Sequence, residues 1–305
     1  MTKVIEADTS FKVWWHLTRP HTLTASFVPV FLGTAIALAV ENQEINYLLF
    51  FAMLVASMLI QAATNMFNEY YDFKLGLDNE NSVGIGGTIV RHGVAPKTIM
   101  LIALSFYGIA TLLGIYICAV SSWWLVAVGL VCMLIGFLYT GGPYPIAYSP
   151  FGELVSGAVM GMGIVLIAFF IQTKTVTLDA VLISVPSMIL VGAIMLSNNI
   201  RDIVGDTEGG RKTMAILVGR HNAITILAVF FIFSYLWIIG LVIFDGLTPW
   251  SLLVLLSIKK ALDAVQLFRA KEQPLEVMPA MKFTAQTNTF FGFLLGIGII
   301  ISYFL

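Results

Sequence analysis

Between Asn65 and Asp78 the chain reads NMFNEYYDFKLGLD, which sets Asn65, Asn68 and Asp72 at spacings of three and four. On a helix those side chains project from one face, and Asp78 follows where Gly76 can turn the chain. A second stretch, NNIRDIVGD, places Asn198, Asp202 and Asp206 at i, i+4 and i+8. Both stretches follow directly on apolar runs. Carboxylates beside membrane-type segments cost free energy unless paired or hydrated, and clustered like charges repel, so a bound cation is a natural compensation. Oxygen-only donors suit Mg2+ or Ca2+ rather than zinc. Mg2+ commonly shares its coordination with substrate phosphate. Arg91, Arg201, Arg211 and Lys212 would supply the cationic half of such a diphosphate site.

A single Asp at a helix end is ordinarily a solvated cap. Two matched clusters, each with Asn four residues ahead of Asp and each near cations, favour a ligand site over that reading. The other reading left open is a transporter whose ordinary loops carry these acids. Against transport, the acids stand at span ends, whereas coupling residues belong near the middle of a membrane. Other chemistries lack their residues. His16, His21, His92 and His221 show no metal spacing, and neither G-x-S-x-G nor H-E-x-x-H occurs. Gly84, Gly86 and Gly87 follow no strand, so they are not a dinucleotide loop, though they could form a lid over the site. Cys118 and Cys132 lie in apolar runs and read as small buried hydrophobes.

The elements that must hold these residues are membrane helices. Of the 305 residues, 59% are hydrophobic and only 11% charged, with a mean hydropathy of +0.93; soluble domains carry about 25% charged residues. Nine apolar segments are expected, near 22–40, 47–67, 97–119, 122–140, 152–173, 177–197, 222–244, 248–266 and 285–305. With nine spans, every Lys and Arg of the 16 except Lys174 falls on one side, which the positive-inside rule makes cytoplasmic. The N-terminus is then cytoplasmic, no cleavable signal peptide is expected, and both clusters face the cytoplasm. Residues 1–305 read as one polytopic domain, with the two clusters hinting at an internal repeat of about four helices. Gly157-x3-Gly161 and Gly292-x3-Gly296 are expected to be close helix contacts. The loop GGPYPIAYSPF, 141–151, should be a rigid turn beside the same face.

Asn68-x3-Asp72 and Asn198-x3-Asp202-x3-Asp206 resemble the two Asp-rich motifs of the UbiA superfamily of intramembrane prenyltransferases. Within it the pattern is most similar to the menaquinone branch. Arg19-Pro20, Gly87-Thr88-Ile89-Val90-Arg91, Tyr139-Thr140-Gly141-Gly142-Pro143, Gly210-Arg211-Lys212-Thr213 and Met278-Pro279-Ala280-Met281-Lys282 carry that likeness. Glu69 beside Asn68 and the third acid at Asp78 depart from the ubiquinone-type pattern. The resemblance implies an all-α UbiA-type bundle in the cell membrane, with its site on the cytoplasmic side. It implies Mg2+ held by Asp72, Asp78, Asp202, Asp206 and Asn68, with Asp72, Asp202, Asn68 and Asn198 central to catalysis. Asn65, Arg91, Tyr139, Tyr144, Arg201, Arg211 and Lys212 would contact substrate. The implied partners are a polyprenyl diphosphate, 1,4-dihydroxy-2-naphthoate and the lipid bilayer, with no nucleic acid. The implied reaction moves the prenyl group to the ring with loss of carbon dioxide. A UbiA-type enzyme acting on another acceptor, such as 4-hydroxybenzoate, is the alternative within the family.

Overall fold

The computed structural model describes residues 11–20, 22–77, 87–244 and 246–305, and every regular element among them is helical. In chain order these are α1 (Phe11–Leu17), α2 (Thr24–Ala39), α3 (Tyr47–Lys74), α4 (Thr88–His92), α5 (Pro96–Val120), α6 (Leu125–Leu138) and α7 (Gly152–Ser156). Then follow α8 (Ile164–Thr173), α9 (Leu178–Glu208), α10 (Met214–Val218), α11 (Arg220–Phe244), α12 (Ile258–Ala270) and α13 (Pro274–Phe304). A π-helical stretch, Gly157–Gly163, joins α7 to α8, and a 3-10 run, Pro249–Ser257, leads into α12.

Among the described residues six helical stretches are long and apolar enough to cross a membrane: α3, α5, α7 through α8, α9, α11 and α13. Helices α2 and α6 are apolar but only 16 and 14 residues long. The segment expected at 248–266 is divided between the 3-10 run and α12, where Lys259 pairs with Asp263 at 2.9 Å. Helices α3 and α9 differ from expectation in the other direction. At 28 and 31 residues they run roughly 42 and 46 Å, past the roughly 30 Å of hydrocarbon. Asn68 and Asp72 of the first cluster, and Asn198, Asp202 and Asp206 of the second, ride on that overrun as ordered helix, as their spacing predicts.

Local chemistry sets the helix boundaries. Asn46 caps α3 by accepting from the Leu49 amide at 3.1 Å, and Thr177 caps α9 through the Ala180 amide. Pro96 and Pro274 open α5 and α13 at positions where a backbone N–H would have no intrahelical acceptor. Pro186, inside α9, cannot donate to the Leu182 carbonyl four residues back. The indole Nε1 of Trp237 on α11 donates to that carbonyl instead, at 2.8 Å.

The largest core joins α2, α8, α9, α11, α12 and α13 around Leu32, Phe169, Leu196, Phe231, Phe268 and Phe291. A second, around Phe67, Ile99 and Ala103, packs α1, α3 and α5. The paired glycines are close contacts, as expected. A Cβ at Gly157 or Gly161 would come within 2.3 Å of the Met188 carbonyl oxygen or 2.5 Å of that of Ser187, both on α9. Gly292 and Gly296 receive Val28 and Phe31 of α2. Both cysteines are free. Lys174, the one cation expected on the far side, donates to the Val120 and Ser121 carbonyls at 2.7 and 2.8 Å and so closes the end of α5.

Candidate active site

Helix α3 presents Gln61, Asn65, Asn68 and Asp72 in succession, and each has a fixed partner. Asn65 donates at 2.9 Å to the Thr18 carbonyl and to the Thr22 hydroxyl, pinning the turn between α1 and α2. Gln61 reaches both Thr22 and Asn65 at 3.4 Å. Asn68 accepts from the Thr140 hydroxyl at 2.7 Å. One turn further on, Asp72 pairs with Arg211 at 2.6 Å. The same guanidinium reaches Asp206 of α9 at 2.9 Å, so a single cation joins the two acidic motifs although 139 positions separate Arg211 from Asp72. Burial alone would lower the basicity of Arg211, but the carboxylates of Asp72 and Asp206 outweigh it and hold the group above its usual value. Tyr148 supports the bridge, its ring centroid 5.3 Å from the guanidinium carbon, and its carbonyl accepts the Lys212 amide at 3.1 Å. The 141–151 loop therefore does brace this end of the bundle.

Asp202 is held by its neighbour Arg201 in a two-pronged pair of 2.6 and 2.5 Å. Arg91 is exposed on α4, as is Lys212 after α9. Tyr144, expected as a substrate contact, is 91% exposed. Pro143 and Pro145 flank it and fix the backbone φ on both sides. Tyr139 is buried, its hydroxyl hydrogen-bonded to Ser156. Asp78, Glu80, Gly84 and Gly86 lie outside the described residues.

A cavity of about 280 Å³ opens behind these groups. Asn65, Asn68, Tyr139 and Asn198 line its polar end, and Met53, Cys118 and Leu125 its far end. Asp72, Asp202 and Asp206 do not line it; they stand one or two turns beyond the asparagines on the same two helices. Met53 and Asn68 are fifteen residues apart on α3, so the cavity runs roughly 22 Å along that helix. Its walls are apolar side chains of α3, α5, α6, α8 and α9.

Asp78, one of the expected metal ligands, lies outside the described residues. Among the described residues no three His, Cys, Asp or Glu side chains form a group able to hold a metal ion. Asp72 and Asp206 share Arg211, because two carboxylates brought together by helix packing need a nearby positive charge. The donors nevertheless fit Mg2+. They are all oxygen, and Asp206 Oδ2 is buried with no hydrogen-bond partner. Mg2+ needs only one or two carboxylates when substrate phosphates complete its shell.

Two groups near the site carry no role in the motif reading. Glu69, 1% exposed, accepts from the amides of Thr88 and Ile89 and lies 3.5 Å from Arg19. Arg19 itself lines the cavity. Both stood in quoted stretches, but only tertiary contact marks them out. Glu153 is another case, buried on α7 and bonded to Asn199 at 2.8 Å, so Asn199 faces away from its neighbour Asn198 in the cavity wall.

Comparison with known proteins places this arrangement. Residues 26–285 match the model of the UbiA prenyltransferase family. The chain belongs to that family. It is 61% identical over 293 residues to a 1,4-dihydroxy-2-naphthoate octaprenyltransferase of Bacillus subtilis (strain 168), spanning 96% of this chain and 94% of that protein. Among solved structures, the apo UbiA homolog from Aeropyrum pernix K1 superposes with a TM-score of 0.68 at 16% identity, over 92% of this chain and 98% of its own. A UbiA homolog from Archaeoglobus fulgidus, bound to DMAPP and Mg2+, superposes with a TM-score of 0.62 at 15% identity, over 94% and 99%. The helical bundle is thus the UbiA fold, and family membership sets the transporter reading aside.

Proposed function

We propose that this UbiA-family protein transfers a polyprenyl group from polyprenyl diphosphate to 1,4-dihydroxy-2-naphthoate, with release of carbon dioxide and formation of demethylmenaquinol, the reduced form of demethylmenaquinone. The observation that carries this is the 61% identity, along nearly the whole chain, to the Bacillus subtilis naphthoate octaprenyltransferase. The site geometry supports it. A polar, acid-rich end suits a diphosphate, and the long apolar cavity behind suits a prenyl tail.

Asp72, Asp78, Asp202, Asp206 and Asn68 would hold Mg2+, which when bound neutralises charge on the departing diphosphate. Arg211 sits between Asp72 and Asp206 and would pass its N–H donors to the diphosphate oxygens as those acids turn to their cation. The allylic C–O bond breaks with its electron pair going to diphosphate. The ring carbon bearing the carboxylate then attacks the allylic carbon. As the new C–C bond forms, the C–CO2 bond breaks, and its electrons restore the aromatic ring. Asn65, Asn68 and Asn198 orient the reactants at the cavity's polar end, while the apolar walls keep water from the allylic cation.

The nine-span reading, with a cytoplasmic N-terminus and site, belongs to the same proposal. It takes α2, α6 and the composite segment ending in α12 as spans beside the six long stretches, and it rests on the one-sided placement of Lys and Arg. The deciding experiment is turnover by the purified protein in nanodiscs with Mg2+, a short prenyl diphosphate and either 1,4-dihydroxy-2-naphthoate or 4-hydroxybenzoate. Mass spectrometry should show a decarboxylated prenyl-naphthoquinol, or the quinone that air oxidation makes of it, and the signal should disappear with EDTA. Prenylated hydroxybenzoate alone would keep the family and overturn the acceptor.

A further inference from the structure

Among the described residues lining the cavity, Arg19 is the only one with a charged side chain. The other cations near the site are committed elsewhere: Arg211 bridges Asp72 and Asp206, and Arg201 grips Asp202. Arg19 is differently placed. Its ion-pair partner is Glu69 at 3.5 Å, which also accepts from two backbone amides. Most of the five N–H donors of a guanidinium are therefore left for something else.

The backbone holds Arg19 in place at some cost. Its φ of 49° lies in the left-handed region, which a non-glycine residue occupies at an expense typical of functional sites. The turn is fixed from several sides. Thr22 donates to the Arg19 carbonyl through both its amide and its hydroxyl, at 2.8 and 2.9 Å. Asn65 ties the residues before and after it to α3. The sequence thus spends two cavity-lining polar side chains, Asn65 and Gln61, on keeping this turn against the cavity wall.

We propose that Arg19 recognises the carboxylate of the aromatic acceptor and so makes this site selective for acidic rings. The inference rests on the function proposed above. The diphosphate has its own cation in Arg211, at the acid-rich end. The ring must lie on the cavity side of that end, beside the allylic carbon, where Arg19 pairs with Glu69 one turn before Asp72 and where an uncompensated carboxylate would be costly. A planar guanidinium fork matches a planar carboxylate in two parallel hydrogen bonds, which a lysine cannot reproduce. The carboxylate leaves as neutral carbon dioxide. Arg19 therefore grips the substrate but not the product, which favours release.

The test compares two redox-stable naphthalenes, 1-hydroxy-2-naphthoate and 1-naphthol, binding to the full chain in nanodiscs. Wild type should bind the carboxylated ring at least about tenfold more tightly, and Arg19→Gln should shrink that preference to within about twofold. Affinity for prenyl diphosphate with Mg2+ should stay unchanged, and the acceptor KM should rise far more than kcat falls. Arg19→Lys, which keeps the charge without the fork, should fall between, and it carries the comparison if Arg19→Gln does not fold. An unchanged preference in these variants overturns the inference. So does a loss that falls on prenyl diphosphate, or equally on both naphthalenes. A wild-type protein that binds neither naphthalene and forms no prenylated naphthoquinone overturns the acceptor reading, and this inference with it.

Discussion

Asp72 and Asp206 compete for one guanidinium, and that shapes what each substitution does. Asp72→Asn removes one of the two carboxylates but leaves Arg211 paired with Asp206 at 2.9 Å. The fold should survive, while the loss of a carboxylate in the diphosphate site should lower kcat by about a hundredfold or more. Arg211→Met is the opposite case. It strands two partly buried carboxylates, one already carrying an oxygen without a partner, and should cost on the order of 3 kcal/mol in stability. Thermal unfolding in detergent, run beside turnover, separates the two. Equal destabilisation by both variants would mean the bridge is not shared as described. The motif acids were legible in the sequence because helical spacing alone puts Asn68 and Asp72 on one face. Arg211 as their link was not, since nothing local joins position 211 to position 72. Asp202 and its adjacent Arg201 pair within the motif itself, and no spacing rule shows that.

At the scale of elements, α9 is the strut that carries the second motif, and its weak point is Pro186. A proline deprives the Leu182 carbonyl of its helical donor, and Trp237 supplies a replacement from α11. Trp237→Phe leaves that carbonyl unsatisfied and should cost about 1–3 kcal/mol. A double-mutant cycle tests the replacement more sharply. Pro186→Ala returns an amide that can bond to Leu182, so Trp237→Phe should cost clearly less in that background. Thermal unfolding of the four proteins reads the coupling, and additive effects would sink the idea. The sequence shows Pro186 in an apolar run, but its rescuer lies 51 residues away on another helix. Helices α3 and α9 outrun their apolar segments for a related reason. Hydropathy ends where polar residues begin, whereas the backbone hydrogen bonding of a helix continues through Asn, Asp and Arg. The short α2 and α6 show the converse, apolar runs longer than the helices they form.

The molecule as a whole is a set of helices around a cavity that is polar at one end. Sequence reading found the polar end and the apolar character of the walls. It could not find the channel, whose lining comes from helices that touch only in the fold. Helix α6 borders it through glycine at 129 and 136. At Gly129 an added Cβ meets nothing within 4 Å, so a larger side chain there projects into open space rather than into backbone. Gly129 is ten residues from Tyr139, about 15 Å along α6 from the polar end. A five-carbon donor with its diphosphate at that end does not reach so far, but a long polyprenyl chain must pass it or lie over it. Gly129→Leu should therefore leave turnover of dimethylallyl diphosphate nearly unchanged and cut kcat/KM for a long polyprenyl diphosphate by about tenfold, the range expected when bulk blocks an apolar pocket. Measuring both donors on one preparation controls for folding. A uniform loss would point to damaged packing against α3 and α5. No loss with either donor would mean that the tail leaves the channel before Gly129 and lies in the bilayer, where its transfer free energy is the same.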